Sequence, residues 1–142
     1  PEAIKNAIRG RLIEKEGIRL DASYCCPFVN EEYAREKDIP PDNIWVKNTK
    51  YRKPGIGMFE LDSLKRGKVL GECTGIYFVG DKKTDVQTGI NAGGKGILIR
   101  REKNGKDLIE VMKMQKIFRG RVIIVNDFLH ATTAILSDVC KS

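Results

Sequence analysis

Three short apolar runs constrain this chain more than any other feature: Ile76-Tyr77-Phe78-Val79, Gly96-Ile97-Leu98-Ile99 and Val122-Ile123-Ile124-Val125. None of them alternates with polar residues, and the segments between them carry helical spacing. Runs that are apolar throughout suit strands buried on both faces. Such strands separated by helices imply a parallel α/β sheet, because a parallel neighbour is reached only through a crossover and the crossover helices cover the faces. The pattern predicts strands over 76–79, 96–99 and 122–125. It predicts helices over 86–92, 106–118 and 128–139, the last with Leu129, Thr132, Leu136 and Val139 turned inward. Gly93-Gly94-Lys95-Gly96 reads as a helix-to-strand turn and does not match a P-loop.

Upstream the signals are shorter. Ile4, Ile8 and Leu12 predict an amphipathic helix over 2–16, ended by Gly17. Residues 18–26 read as a strand stopped by Pro27, and 28–43, with Pro40 and Pro41, as an irregular loop holding at most a short helical turn. Residues 44–46 suit a brief extended piece and 58–70 a helix. No internal repeat or low-complexity segment interrupts the chain, and 142 residues suit one domain with a real core. No apolar run approaches the roughly 18 residues needed to cross a bilayer, and the start, Pro1-Glu2-Ala3-Ile4-Lys5, does not have the form of a signal peptide. Cys25, Cys26, Cys73 and Cys140 are scattered, which implies reduced thiols in a cytoplasmic protein and not a disulfide framework.

Lys and Arg number 26 against 19 Asp and Glu, a net charge of +7 that attracts anions, whether phosphate esters or nucleic acid. The basic residues are spread along the chain, so charge alone does not single out nucleic acid. The few aromatics form no stacking-platform pattern.

In an open parallel sheet, ligands bind beyond the carboxyl ends of the strands. After 76–79 comes Gly80-Asp81-Lys82-Lys83-Thr84-Asp85. Gly80 permits a tight turn, Asp81 then stands on the rim, and Asp85 follows one helical turn later, able to face the same place. Two carboxylates so placed suit a hard divalent cation. Asp near a helix start also serves capping and the helix dipole, so Asp85 taken alone has a structural explanation. A second string, Tyr51-Arg52-Lys53-Pro54-Gly55-Ile56-Gly57-Met58-Phe59, holds a basic pair just before a helix. Pro54 biases Lys53 away from helical geometry. The ammonium can offset the charge of a phosphoryl group and a nearby carboxylate, and Arg52 can fork onto phosphate oxygens. A plain basic turn before a helix fits that string equally well. His130, the single histidine, falls in the last helix and reads as a partly buried structural residue. Nothing cationic stands beside Cys25-Cys26 to activate a thiol.

An Arg-Lys-Pro-x-x-Gly-Met segment ahead of an apolar strand ending in Gly-Asp-Lys-x-x-Asp, with Ala92-Gly93 beyond, resembles the haloacid dehalogenase-like phosphatases. Within them the chain is most similar to the histidinol-phosphate and heptose bisphosphate phosphatases, and polynucleotide 3'-phosphatases also look similar. The likeness spans nearly the whole chain, including Glu14 and Asp-Ala-Ser-Tyr-Cys-Cys-Pro at 21–27. The resemblance implies a Rossmann-like parallel sheet with helices on both faces. It implies that Lys53 steadies the nucleophile and the phosphoryl group, that Asp81 binds Mg2+, that Asp85 is the second acid of that motif, and that Arg52 and Lys82 lie near substrate phosphate.

Two departures qualify it. The subgroup often binds zinc through a Cys-x-His and a Cys-x-Cys, but Phe28 stands where the His belongs and Asn48-Thr49-Lys50-Tyr51 holds no cysteine, so no zinc is expected. Family members also open on a strand with an Asp-x-Asp pair, nucleophile and general acid, followed by a second strand ending in Ser or Thr. No Asp-x-Asp occurs in this chain. The resemblance then implies a single partial domain over 1–142, missing its first two strands, whose strand 76–79 has an unpaired apolar edge. The missing segment is expected from a second polypeptide, another part of the gene product, or strand exchange between copies. The implied activity is Mg2+-dependent hydrolysis of a small sugar-phosphate-like or histidinol-phosphate-like monoester through an aspartyl-phosphate. This chain alone is expected to be inactive. The alternatives are a catalytically inactive phosphate-binding or regulatory subunit, and a terminal nucleic-acid phosphatase.

Overall fold

A computed structural model describes every residue except 1, 2, 4, 5, 8, 9, 12, 13, 14, 74 and 142. The chain divides into two compact units, Pro1–Arg52 and Lys53–Ser142. No helix among the described residues is long and apolar enough to cross a membrane.

In the first unit, Ala3, Asn6, Ala7, Gly10, Arg11, Lys15 and Glu16 are helical, and Gly17 turns the chain at φ 64°. Ile4, Ile8 and Leu12, expected to form the buried stripe, lie outside the described residues. The strand expected over 18–26 does not form: the backbone there is irregular and joins no ladder among the described residues. Its Ile, Leu and Tyr side chains favour extended backbone, but propensity does not make a strand without a neighbouring strand to pair with. Order returns at Val29, whose N–H donates to the Trp45 carbonyl at 2.9 Å and whose carbonyl accepts from Lys47 at 2.8 Å, a parallel bridge to Val46. The expected extended piece over 44–46 is thus a single bridge. Helix α1, Glu31–Glu36, supplies the short turn expected in the polar loop. Asn30 caps it by accepting from the Tyr33 N–H at 2.9 Å, and Glu31 and Glu32 complement the positive end of its dipole.

The second unit carries the sheet. Helix α2, Gly57–Arg66, is shorter than the 58–70 expected, because Gly67 adopts a left-handed φ of 63° and its N–H closes on Leu64. Then follow β1 (Tyr77–Gly80), α3 (Lys83–Asn91), β2 (Lys95–Ile99), α4 (Gly105–Ile117), β3 (Val122–Val125) and α5 (Phe128–Cys140). The strands are parallel in the order β1-β2-β3, with Val79 opposite Ile97 and Ile97 opposite Ile123. Both crossovers proceed in the same direction, so α3 and α4 cover one face. Val86, Ile90, Val111 and Met114 from those helices form a buried cluster there with Leu98 and Val122. Side chains alternate along β2, so Lys95, Ile97 and Ile99 face the other side, which α5 covers.

The rotation of α5 differs from the sequence expectation. Leu129, Leu136 and Val139 are 73%, 60% and 51% exposed, while Ala131 is buried. The reason is a polar anchor. Asp138 accepts hydrogen bonds from the Tyr77 hydroxyl and, at 2.6 Å, from Lys95 Nζ, both on the first residue of their strands. With residue 138 facing the sheet, helical spacing brings 131, 134 and 135 to the same side. The hydrogen bond from Lys95, joined by that from Tyr77, holds the Asp138 carboxyl below its usual range, and the same bond to Asp138 raises the Tyr77 hydroxyl. At the far end of α5, Asp127 caps the helix by accepting from the His130 N–H at 2.8 Å, and the His130 ring lies 2.7 Å from the same carboxylate oxygen. His130 is exposed, not partly buried as its helical context suggested.

Candidate active site at the carboxyl edge of the sheet

The loop that leaves β1 is shaped by one buried side chain. Asp85 is 3% exposed, and it sits in the first turn of α3 because that helix starts at Lys83, earlier than the apolar pattern indicated. Its Oδ2 accepts the N–H groups of Asp81 at 3.1 Å and Lys82 at 3.0 Å, and its Oδ1 accepts from Lys53 Nζ. The carboxylate therefore caps α3 and pulls the Asp81 turn tight at the same time. Gly80 is needed for that: a Cβ there would overlap the Asp85 carboxylate.

Lys53 arrives from the segment ahead of α2. Its ammonium lies over the Phe78 ring at 5.6 Å, and Phe78 meets Phe59 of α2 edge-on at 5.7 Å. Asn91 at the end of α3 donates to the Pro54 carbonyl at 2.9 Å and so fixes the Lys53–Pro54 segment along that helix. A half-buried ammonium, one ring face and one buried carboxylate make a charge held in place but open to solvent on one side.

Asp81 points outward. Its side chain is 45% exposed and faces Arg101 Nε at 3.5 Å, a loose surface pair. Its backbone carbonyl accepts from the Asn104 side chain at 2.9 Å. Next along the turn, the Lys83 N–H donates to Asp107 Oδ1 at 2.7 Å. Lys82 is exposed at the helix start. Lys53, Asp81, Lys82 and Asp85 thus meet at one end of β1 and α3. Arg52 belongs to the first unit, where its Nη1 donates to the Phe28 carbonyl at 3.1 Å and its guanidinium lies 5.0 Å from the Tyr33 ring.

The donor set can be tested against Mg2+, which takes about six oxygens and commonly only one or two carboxylates, with waters and substrate phosphate completing the shell. Both Asp85 oxygens are engaged, whereas among the described residues the Asp81 carboxylate meets only the loose Arg101 pair. Among the described residues no group of three or more His, Cys, Asp and Glu could hold a metal. The residues present fit one carboxylate ligand, Asp81, with its backbone braced by Asp85. All four cysteines are free thiols, and Cys26 Sγ contacts the Phe28 carbonyl at 3.8 Å.

Arg101, Asn104 and Asp107 also reach the site, and no motif in the sequence marks them. Ligands gather past the carboxyl end of each buried strand, and Arg101 lies two residues beyond the end of β2. Nothing in local pattern marks Asn104 or Asp107 as reaching back to the β1 loop.

A family model described as HAD-hydrolase-like matches residues 50–131, more than half of the chain and the whole of the site just described except Arg52's partners. The fold is similar to the crystal structure of D,D-heptose 1,7-bisphosphate phosphatase from B. bronchiseptica complexed with magnesium and phosphate, at a TM-score of 0.61 and 21% identity. The match covers 96% of this chain and 63% of that one, so the chain spans less than two thirds of its neighbour's length. No curated protein matches the sequence.

Proposed function

The chain belongs to the HAD-hydrolase-like family, and from that premise we propose that it forms part of a cytoplasmic, Mg2+-dependent phosphomonoester hydrolase. The observation that carries the reading is the convergence of Lys53 and Asp81 on Asp85 at the carboxyl end of β1. In this reading Asp81 holds the cation, Asp85 fixes both Asp81 and Lys53, and Lys53 offsets negative charge on the phosphoryl group. Lys82, exposed beside them, meets substrate phosphate, a role that the resemblance alone also gives Arg52 in the first unit. The bound cation would contribute charge stabilisation at the phosphoryl oxygens. The protein's own part is positioning: an ammonium and a carboxylate are held apart in fixed places, so little reorganisation is needed when a phosphate arrives. The substrate class is a small sugar-phosphate-like or histidinol-phosphate-like metabolite. The similar fold of a heptose bisphosphate phosphatase supports that class by analogy.

The nucleophile is proposed to come from outside these residues, on a strand that pairs with β1. Among the described residues β1 has a neighbour on one side only, and its apolar edge suits a further parallel strand. A preceding part of the same gene product, a second polypeptide or a strand-exchanged copy would each serve. A non-catalytic phosphate-binding or regulatory subunit is the second reading, favoured by the absence of any Asp-x-Asp pair in the sequence. A terminal nucleic-acid phosphatase draws support only from the charge of +7.

The test is a phosphatase assay with Mg2+ on the 142-residue chain alone and mixed with a peptide or protein supplying an Asp-x-Asp strand. Activity in the mixture that disappears on Asp81→Asn supports the enzyme. Restored folding with no turnover in the mixture favours the regulatory reading.

A further inference from the structure

The β1–β2 ladder ends at the pair Gly80 and Leu98, one residue before Asp81 and one before Ile99. Beyond that pair a side chain continues the connection. Asn104 is 8% exposed, and its Nδ2 donates to the Asp81 carbonyl and to the Ile99 carbonyl, each at 2.9 Å. Its Oδ1 accepts from the Arg101 N–H at 2.9 Å. Both amide hydrogens are thereby spent on carbonyls at the ends of two different strands. Together with the Asp85 bond to the Asp81 N–H, this leaves both backbone polar groups of Asp81 held by side chains.

We propose that Asn104 is a positioning residue for Asp81, adding a rung past the last backbone pair so that the Asp81 carboxylate leaves the rim in one direction. The proposal rests on the reading of Asp81 as the cation ligand. An outward carboxylate with 45% of its side chain in solvent and a loose 3.5 Å pair to Arg101 is weakly held by its own contacts, so the backbone that sets its Cα–Cβ direction decides where it points. Groups that orient a ligand from behind typically change metal affinity by about 10–100-fold when removed. A purely local role is the competing explanation, since Asn104 also accepts from Arg101 at the start of the following helical turn.

Two variants separate the roles. Asn104→Ala removes everything. Asn104→Asp keeps the volume and the acceptor for the Arg101 N–H but loses both donors. Added negative charge would by itself tighten cation binding, so weakening in Asn104→Asp has the sign opposite to a charge effect. The probe is Mn2+, with the free ion counted by electron paramagnetic resonance, on the full chain, beside a thermal melt without metal. Positioning predicts Mn2+ binding weakened about tenfold or more in both variants among chains that still melt cooperatively. Melting that falls while Mn2+ binding stays as in the parent, or binding that tightens in Asn104→Asp, overturns it. If Asn104→Ala does not fold, Asn104→Asp decides alone. Parent binding that is indifferent to Asp81→Asn refutes the cation-ligand reading and this inference together. Asp81-dependent binding that ignores Asn104 refutes this inference only.

Discussion

Replacing Asp85 by Asn and by Ala dissects the site's central carboxylate. An Asn side chain can keep one oxygen toward the Asp81 and Lys82 amides, but it must then turn its NH2 toward Lys53 Nζ, so the Asn variant isolates the ion pair. A hydrogen bond to a charged group is worth about 1.5–3 kcal/mol. Lys53 is 39% exposed, so water recovers part of this once the partner is gone, leaving about 1–2 kcal/mol. The Ala variant also orphans the two amides at 3.1 and 3.0 Å, adding roughly 1–3 kcal/mol because the turn can open to admit water. For a chain of this size those losses correspond to about 3–6 °C in Tm for Asn and about twice that for Ala. Chemical and thermal denaturation followed by circular dichroism measure both, and a double-mutant cycle with Lys53→Met gives the coupling. A coupling below about 0.3 kcal/mol, within the scatter of independent sites, refutes the ion-pair argument. Equal losses for Asn and Ala refute the claim that Oδ2 holds the turn.

Other consequences are simpler to check. Arg101→Ala removes the cation that faces Asp81 at 3.5 Å, and Mn2+ binding should tighten by about two- to fivefold, the worth of an exposed pair, with little change in Tm. Leu98→Ala opens a cavity in the cluster of Val86, Val111 and Val122 and should cost about 3–5 kcal/mol in denaturant unfolding. The Asp138 network gives a pH dependence with a definite sign. Asp138 is held below 3.8, so between its folded and unfolded values the unfolded chain binds more protons, and the contribution is complete above 3.8 and lost as pH falls through the folded value. Tyr77 is raised above 10.0, so its contribution is complete below 10.0 and lost as pH rises through the folded value. Tm measured across pH should show both limbs flattened by Asp138→Asn.

The second unit was largely legible because its information is local and repeated. Each apolar run from Ile76 to Val125 became a strand within a residue of its expected bounds, since a run that is apolar throughout has no polar position to blur it. Residues 18–26 misled because a strand is a relation between two segments, and composition describes one. The α5 face differs from its apolar spacing because Asp138, a polar residue outside that spacing, is the one anchored on the sheet. Its two hydrogen bonds fix the rotation and leave Leu129 and Leu136 in solvent. At the site, Lys53, Asp81, Lys82 and Asp85 were recognisable as strings, because motif spacing survives in one dimension. Asn104 and Asp107 were not, since their hydrogen bonds to Asp81 and Lys83 each span about two dozen residues and follow no period.

The sheet order carries a consequence for how the unit opens. Every ladder joins strands that are successive in the chain, so each closes over a single crossover and the entropy of closure stays small. β2 is held by a ladder on each side, while β1 has one among the described residues. Fluctuations that release an outer strand, β1 or β3, are therefore the least costly way to disturb the sheet, and Asp81 hangs from the end of β1. The rigidity of that rim does not come from the ladder. It comes from the Asp85, Asn104 and Asp107 side chains, which tie Asp81, Lys82 and Lys83 to helices that begin further along. Native-state hydrogen exchange should record this as slower exchange at the Asp81–Lys83 amides than at the outward amides of β1 itself.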